Sequence, residues 1–212
     1  MKTTLCIISL AGVLLTSCGS SDPMRLRDYN QAMTYCQAKQ YAKALPLLKK
    51  SAEAGNPEAQ LQLAKCYDFG RGTAKNMSEA VKWYTVAANA GNANALENLG
   101  GCYFEGEGVQ KDLYKAFQLY NRAAELNEVS AINNVGLSYL NGQGVAQNHA
   151  MAVRYFTRAA QMGNSDAMFN LGRCYLHGNG VEPDEDIARS WTAKAASLGN
   201  KEAIKFVSEM NW

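Results

Sequence analysis

The sequence repeats itself with a period of 36 residues, and this periodicity restricts the chain to a stack of equivalent units. The units start at Gly55, Gly91, Asn127 and Gly163, with a partial unit from Gly199. A tyrosine recurs at one position of each full unit: Tyr67, Tyr103, Tyr139 and Tyr175. A G-x-G pair follows each tyrosine: Gly70 and Gly72, Gly106 and Gly108, Gly142 and Gly144, and Gly178 and Gly180. No insertion or deletion breaks the register, so the pattern predicts a repeat array in which each unit packs on its neighbours.

Each unit has the pattern of two helices. In the first unit Ala59, Leu63 and Tyr67 recur every four residues, which is the spacing of one helical face. Asn56 precedes this helix as a capping residue, and Gly70 ends it because a left-handed residue costs least as glycine. The second helix also begins after a side chain that can cap it: Asn76, Asp112, Asn148 and Asp184. A single pair of such short helices is marginal in water, so stacking has to bury the second face of each pair.

The N-terminus has the features of a secretory leader. Lys2 supplies a positive charge, and Leu5 to Leu15 form an apolar stretch of eleven residues. This stretch is too short for a membrane-spanning helix, which needs roughly 20 residues. Leu15-Thr16-Ser17-Cys18 resembles the lipoprotein box of bacteria, which implies that Cys18 becomes the lipidated first residue. Gly19 favours sorting to the outer membrane, on either its periplasmic or its surface side.

The full repeat pattern resembles that of the Sel1-like repeat family, which is related to tetratricopeptide repeats. The residues that carry the resemblance are the alanine, leucine, tyrosine and G-x-G positions of residues 55–212, with a looser match over 24–54. The departures are Thr73 in place of valine, Asn127 in place of glycine and Ala64 in place of glycine. The resemblance implies an all-α fold, a right-handed α/α superhelical solenoid of helix pairs. It also implies a scaffold or adaptor that binds proteins or peptides in the cell envelope.

These patterns divide the chain into five parts. The segment before Gly55 follows the same rhythm, but Tyr35 and Ala44 are only nine residues apart and no G-x-G pair lies between them. This predicts the tighter turn of a tetratricopeptide unit. The expected parts are a leader over 1–17, the lipidated cysteine and tether over 18–23, a tetratricopeptide-like pair over 24–54, four repeats over 55–198, and a capping helix over 199–212.

Charge and side-chain chemistry argue against nucleic acid and against catalysis. The chain has 21 Lys and Arg against 19 Asp and Glu, and no basic run. The G-x-G pairs follow helices rather than strands, which is wrong for a nucleotide-binding loop. His149 and His177 are the only histidines and neither lies at a ligand spacing from a cysteine. No serine has a lysine three residues later. We therefore expect no enzyme activity, small-molecule substrate, metal ion or cofactor.

The cysteines leave one alternative open. Cys66, Cys102 and Cys174 occupy one repeat position, and equivalent points on stacked helices lie too far apart for a disulfide. We expect them to be buried, unpaired thiols, as small packing residues. Some cysteine-rich secreted members of the resembled family bind penicillin or weakly hydrolyse β-lactams, which is the alternative function. Their hallmark is two cysteines per repeat, whereas each unit here has at most one.

The partner-binding site is expected on the first helices, by analogy with tetratricopeptide grooves. Positions outside the repeat pattern are free to specialise. The residues predicted to bind a partner are Glu97, Phe104, Asn133, Leu137, Leu140, Phe169, Arg173 and Leu176. Phe104, Leu140 and Leu176 would form an apolar line with polar groups beside it, as a peptide groove requires. The competing interpretation is that these leucines only pack beneath the next helix.

Overall fold

The computed structural model describes residues 23–210 and Trp212. The predicted leader, Cys18 and most of the tether lie outside these residues. Within them the chain is all-α, with no strand, and forms a solenoid of helix pairs, which confirms the predicted fold class.

Eleven helices follow one another in the described part of the chain, and most have thirteen residues. They are α1 (Pro23–Gln37), α2 (Tyr41–Glu53), α3 (Pro57–Phe69), α4 (Met77–Asn89), α5 (Ala93–Glu105), α6 (Leu113–Glu125), α7 (Val129–Asn141), α8 (His149–Gln161), α9 (Ser165–His177), α10 (Glu185–Ser197) and α11 (Lys201–Met210). Each helix packs chiefly against the helices before and after it in the sequence. The odd-numbered helices are the first helices of the units and the even-numbered ones are the second. Residues 38–40 join α1 to α2, whereas seven residues, 70–76, join α3 to α4.

The predicted caps start the helices. Asn56 Oδ1 accepts hydrogen bonds from the N–H groups of Glu58 and Ala59, at 3.0 and 3.2 Å. Equivalent side-chain bonds cap eight of the eleven described helices: those of Asn56, Asn76, Asn92, Asp112, Asn148, Asn164 and Asp184, followed by Asn200 at α11.

 The other three helices differ: α1 begins at the boundary of the described residues, and Gln40 before α2 and Glu128 before α7 make no such bond.

The third unit departs from the pattern at its start. Asn127 takes the place of the glycine that begins the other units, and it adopts the left-handed φ of 62° that glycine has there. Asparagine is among the few residues with a side chain that tolerate this conformation. The cap position of this unit is occupied by Glu128 instead of asparagine, and its side chain accepts no hydrogen bond from the start of α7.

The two glycines of each G-x-G pair have different roles. The first, as Gly106, ends the first helix in the left-handed conformation and donates its N–H to the carbonyl of Cys102 at 2.8 Å. The second, as Gly108, also has a positive φ of 73°, but it lies against the start of the preceding unit's second helix. A Cβ at this position would lie 2.5 Å from the backbone oxygen of Met77. The second glycine therefore allows one unit to touch the backbone of the unit before it.

Small residues on the first helices make room for large ones on the second. A Cβ on Gly100 would lie 2.7 Å from the Tyr120 ring, and one on Gly136 would lie 2.6 Å from the Phe156 ring. The first unit has Ala64 at this position, opposite the fully buried Tyr84. Because this close packing leaves no space for a methyl group on Gly100 or Gly136, the rings of Tyr120 and Phe156 are fixed against the first helices of their units.

Aromatic rings fill the gaps between successive units. The Tyr139 ring of α7 lies edge-on to Phe117 of α6, with 5.5 Å between the ring centroids. It also stacks on Tyr155 of α8, at 5.7 Å. One tyrosine of the repeat pattern therefore contacts both its own unit and the preceding one.

The contact of the second glycine gives a test of the stacking. We expect Gly108→Ala to lower the free energy of unfolding by about 3 kcal/mol, because it adds a steric clash to the cost of a positive φ. Gly163→Ala is the matched control, since its φ is 90° but a Cβ there meets nothing within 4 Å. It should cost only about 1 kcal/mol. Thermal and urea unfolding of the two variants would measure the difference, and equal losses would contradict the proposed role of the backbone contact.

Candidate partner-binding site

The first helices of the last units line an open cavity of about 440 Å³. Four of the residues predicted to bind a partner line it: Asn133, Leu137, Phe169 and Arg173. The remaining lining residues are polar: Asn134, Asp166, Asn170, Asn200 and Glu202. Helices α7 and α9 and the start of α11 therefore provide two apolar side chains surrounded by amides and charges.

A second cavity, of about 360 Å³, lies between α5, α6 and α7. The predicted residues Phe104 and Leu137 both line it. The other lining residues are Glu105, Tyr120, Asn134, Ser138, Asn141 and Gln143. Because Leu137 and Asn134 also line the first cavity, the two cavities adjoin along α7 and form one strip across three units.

Glu97 lines a smaller and more acidic cavity of about 200 Å³. Asp68, Glu105 and Glu107 share this cavity. Burial raises the pKa of the Glu97 carboxyl, the charge of Glu128 raises it further, and Lys65 and a hydrogen bond from Asn134 oppose the rise. Glu97 therefore lies at the acidic end of the strip.

Two of the predicted residues also hold adjacent units together. Asn134 Nδ2 donates to Glu97 Oε1 at 3.2 Å, and Asn170 Nδ2 donates to Asn133 Oδ1 at 3.1 Å. Each bond joins one first helix to the next. Asn133 is only 6% exposed, so most of its surface belongs to the contact between α7 and α9.

Of the predicted apolar line of Phe104, Leu140 and Leu176, only Phe104 lines a cavity of the strip. Leu140 and Leu176 are half-buried and line neither cavity. Phe104, Leu137 and Phe169 are the apolar residues that share the cavities. Phe104 and Leu140 occupy the same repeat position, so this position lines a cavity in one unit and not in the next.

Sequence reasoning missed the asparagines of the strip. Asn98, Asn134 and Asn170 occupy one repeat position, where the first unit has Gln62. This run of amides was visible in the sequence and would have identified the position. By themselves, amides on a helix are ordinary surface residues, and only the packing of the helices shows that these face a cavity.

The first helices of the four full units have an acidic balance. Helices α3, α5, α7 and α9 contain five carboxylates and two cations. The carboxylates are Glu58, Asp68, Glu97, Glu105 and Asp166, and the cations are Lys65 and Arg173. Such a balance favours contact with positively charged segments.

The four cysteines of the described chain are free thiols, and three of them are buried, as predicted. Cys66, Cys102 and Cys174 are at most 5% exposed, and Cys36 is half-buried. Burial raises the pKa of the Cys66 and Cys174 thiols to about 11 and that of Cys102 to about 12. The paired cysteines on which the penicillin-binding alternative depends are therefore missing from these units, and that alternative has no support in this chain.

None of the helices between Pro23 and Met210 is both long and apolar enough to cross a membrane. Over the same residues, no three His, Cys, Asp or Glu side chains come together in a way that could hold a metal ion.

A family model and several solved structures match this chain. The model of the Sel1 repeat matches residues 36–56, 57–92, 93–128, 129–164 and 165–200. A search of curated proteins finds no match. A Sel1 repeat protein from Oxalobacter formigenes is 33% identical, with a TM-score of 0.83 over 88% of this chain and 78% of that one.

Two further solved structures are similar. One is a protective antigen present in uropathogenic Escherichia coli strains, which displays an SLR fold. It is 30% identical with a TM-score of 0.79, and the match covers 88% of this chain but 42% of the antigen. The other is a Sel1 repeat protein from Klebsiella pneumoniae, which at 22% identity and a TM-score of 0.59 shares the fold. That match covers 89% of this chain and 93% of the other.

The buried thiols predict slow alkylation of the folded protein. At pH 8 a thiol with a pKa of about 11 is roughly a thousandth ionised, against about a tenth at the ordinary value, and only the thiolate reacts. We expect peptide-mapped alkylation to modify Cys36 first and to leave Cys66, Cys102 and Cys174 intact until the chain is unfolded. Rapid modification of these three in the folded state would contradict the assigned burial.

The same thiols give the stability a pH dependence. The pKa of these thiols is higher in the folded chain than in the unfolded one, so they contribute fully to the free energy of unfolding below about pH 9. This contribution is lost as the pH rises through 11. The double variant Cys102→Ser with Cys174→Ser is the control, since Ser138 already occupies this position in the third unit. Its unfolding free energy should fall less steeply above pH 9.

Proposed function

This chain belongs to the Sel1 repeat family, and we propose that it is a non-enzymatic scaffold that binds a segment of a partner protein along its first helices. Proteins with this repeat fold generally act as interaction scaffolds, which supports the class of function. The observation that carries the proposal is the strip of adjoining cavities across α5, α7 and α9.

The chemistry of the strip suits an extended peptide. Leu137 and Phe169 offer apolar surface for a partner side chain. Asn134 and Asn170 donate hydrogen bonds to neighbouring units, while their amide oxygens keep the capacity to accept from a peptide N–H. Together these groups match the usual division of a peptide groove into apolar contacts and backbone hydrogen bonds.

The charges along the strip indicate which charges a bound segment would carry. Carboxylates outnumber cations on the four first helices, and the acidic cavity around Glu97 lies at one end of the strip. A segment that carries lysine or arginine at its corresponding end would meet complementary charge there. Arg173, in the larger cavity, would pair with a carboxylate of the segment.

Site-directed crosslinking tests this proposal. A photoreactive benzoylphenylalanine replaces Arg173 in the strip or, as the control, Arg122, which is exposed on the second helix α6. We expect a covalent protein adduct in intact cells from position 173 and at least about tenfold less from position 122, because a bound segment contacts only the first helices. Adding Leu137→Ala should reduce the adduct from position 173, since truncation removes apolar contact area.

The outcomes separate binding from folding. Thermal unfolding of the Leu137→Ala chain shows whether it remains folded, since Leu137 is only half-buried and its truncation should cost about 2 kcal/mol. Equal adduct yields from positions 173 and 122 would contradict a binding site on the first helices.

The second part of the proposal is a lipid anchor. Leu15-Thr16-Ser17-Cys18 supports removal of residues 1–17 and acylation of Cys18. Two or three acyl chains on one residue give stable attachment, whereas a single chain gives only reversible binding. Gly19, in place of aspartate, supports the outer membrane as the destination, with the scaffold in the cell envelope.

Metabolic labelling tests the anchor. In cells fed radioactive palmitate we expect label in the unmodified chain and none in Cys18→Ser, because the acylated thiol is absent. Cys36→Ser is the control and should keep its label, since Cys36 lies within α1. Fractionation should move only the Cys18→Ser protein out of the membrane pellet. Label that persists in Cys18→Ser would refute the assignment.

A further inference from the structure

Three large apolar side chains are exposed at the same point of three successive units. Leu126, Met162 and Leu198 each follow the last residue of a second helix, and they are 36 residues apart. Their exposed fractions are 51%, 42% and 57%. Equivalent positions in a solenoid form a row along it, so these residues make a continuous apolar stripe on one edge.

A row of cations accompanies the stripe. Arg122, Arg158 and Lys194 lie in the last turn of α6, α8 and α10, each four residues before the apolar residue of its own unit. Residues four apart lie on the same face of a helix. The five second helices as a group contain ten Lys or Arg against five Asp or Glu, the opposite of the balance on the first helices. We call this set of three cations and three apolar residues the basic-apolar edge.

Direct contacts join the basic-apolar edge from one unit to the next. Arg158 donates from Nη2 to the carbonyl oxygen of Ala124 at 2.9 Å and to Asn127 Oδ1 at 2.8 Å. Both acceptors flank Leu126 in the sequence. The guanidinium of one unit therefore lies beside the apolar residue of the preceding unit, so the two rows are interleaved.

The chain enters the fold at this same edge. Lys50, in the last turn of α2, forms an ion pair of 2.8 Å with Asp28, in the second turn of α1. The start of α1 therefore lies beside the end of a second helix, on the same side of the solenoid as the basic-apolar edge and two units before Leu126. The exposed Leu26 lies in the first turn of α1.

The length of the tether restricts which edge can meet a membrane. Cys18 precedes Pro23 by five residues, which span at most about 17 Å when extended. A helix of thirteen residues is about 20 Å long, so the G-x-G loops lie about that far away, at the opposite edge. An acyl chain on Cys18 would enter the bilayer close to the edge where α1 begins.

We propose that the basic-apolar edge lies against the headgroup surface of the membrane that holds the Cys18 acyl chains. This inference rests on the lipid anchor proposed above. Leu126, Met162 and Leu198 enter the boundary between headgroups and acyl chains, and the neighbouring cations contact lipid phosphates. Apolar side chains interspersed with Lys and Arg are the pattern of interfacial binding.

The opposite edge also exposes large apolar side chains, but they do not form a row. Phe69, Tyr114 and Ile187 are exposed near the G-x-G loops, each at a different position of the repeat. Isolated exposed apolar residues are ordinary on protein surfaces. The opposite edge can therefore provide the control positions for experiments on the basic-apolar edge.

Photocrosslinking to lipid tests the orientation. Benzoylphenylalanine replaces Met162 or, as the control, Tyr114, which is 63% exposed at the opposite edge. The full lipidated protein is placed in vesicles of phosphatidylethanolamine and radioactive phosphatidylglycerol. We expect at least about fivefold more lipid adduct from position 162 than from position 114.

A pair of charge reversals tests the role of the cations. Arg122→Glu with Lys194→Glu should lower the lipid adduct from position 162 severalfold, because two attractive contacts with phosphatidylglycerol become repulsive. The matched control makes the same change of charge at the opposite edge, with Lys75→Glu and Lys111→Glu, and should leave the adduct largely unchanged. If both pairs of substitutions lowered the lipid adduct equally, the proposed contacts between the cations and lipid would be wrong. The proposed contact of the basic-apolar edge with the membrane would then be wrong as well.

The mass of the protein distinguishes failure of the anchor from failure of the orientation. A chain without acyl groups on Cys18 would overturn the proposed anchor and the inference that rests on it. An acylated chain with equal lipid adducts from positions 162 and 114 would overturn the orientation alone. Adducts from position 162 to a second copy or to another protein, in place of lipid, would also overturn it.

Discussion

The close approach of one loop to the preceding helix pair is the constraint on which the rest of the structure depends. Gly72, Gly108, Gly144 and Gly180 each lie against the backbone at the start of the preceding second helix, where no side chain fits. Because the contact is with backbone atoms, its geometry hardly depends on the sequence of the neighbouring unit. The same contact in every unit keeps the repeat in register, and it places equivalent residues of successive units in rows.

Rows of equivalent residues give the solenoid two chemically different surfaces. The first helices carry more carboxylates than cations, and their amides and apolar residues line the adjoining cavities. The second helices carry twice as many cations as carboxylates. The small net charge of the whole chain conceals this separation, since the two surfaces largely cancel.

The polar contacts between units have a structural consequence for binding. Asn92 donates to Glu58 at 2.7 Å, and Asn134 donates to Glu97 at 3.2 Å, in each case from one unit to the preceding one. Side chains that face the cavities are thus held in place by neighbouring units before a partner arrives. Such preorganisation lowers the entropy that binding would otherwise cost. The stack of units is therefore part of the candidate site and not only its support.

Local sequence was sufficient to predict the helix pairs, the caps and the buried cysteines, because these depend on residues within one period. Asn56 caps α3 and Gly106 ends α5 through bonds to their own helices, and the 36-residue spacing repeats these signals. Which side chains line a cavity and which are covered by a neighbouring helix depends on how the helices pack against one another. Tertiary structure alone placed Leu137 with Phe169 in a cavity, left Leu140 outside it, and buried Asn133 at the contact between α7 and α9, because neighbouring units cover one side of each first helix and leave the other open.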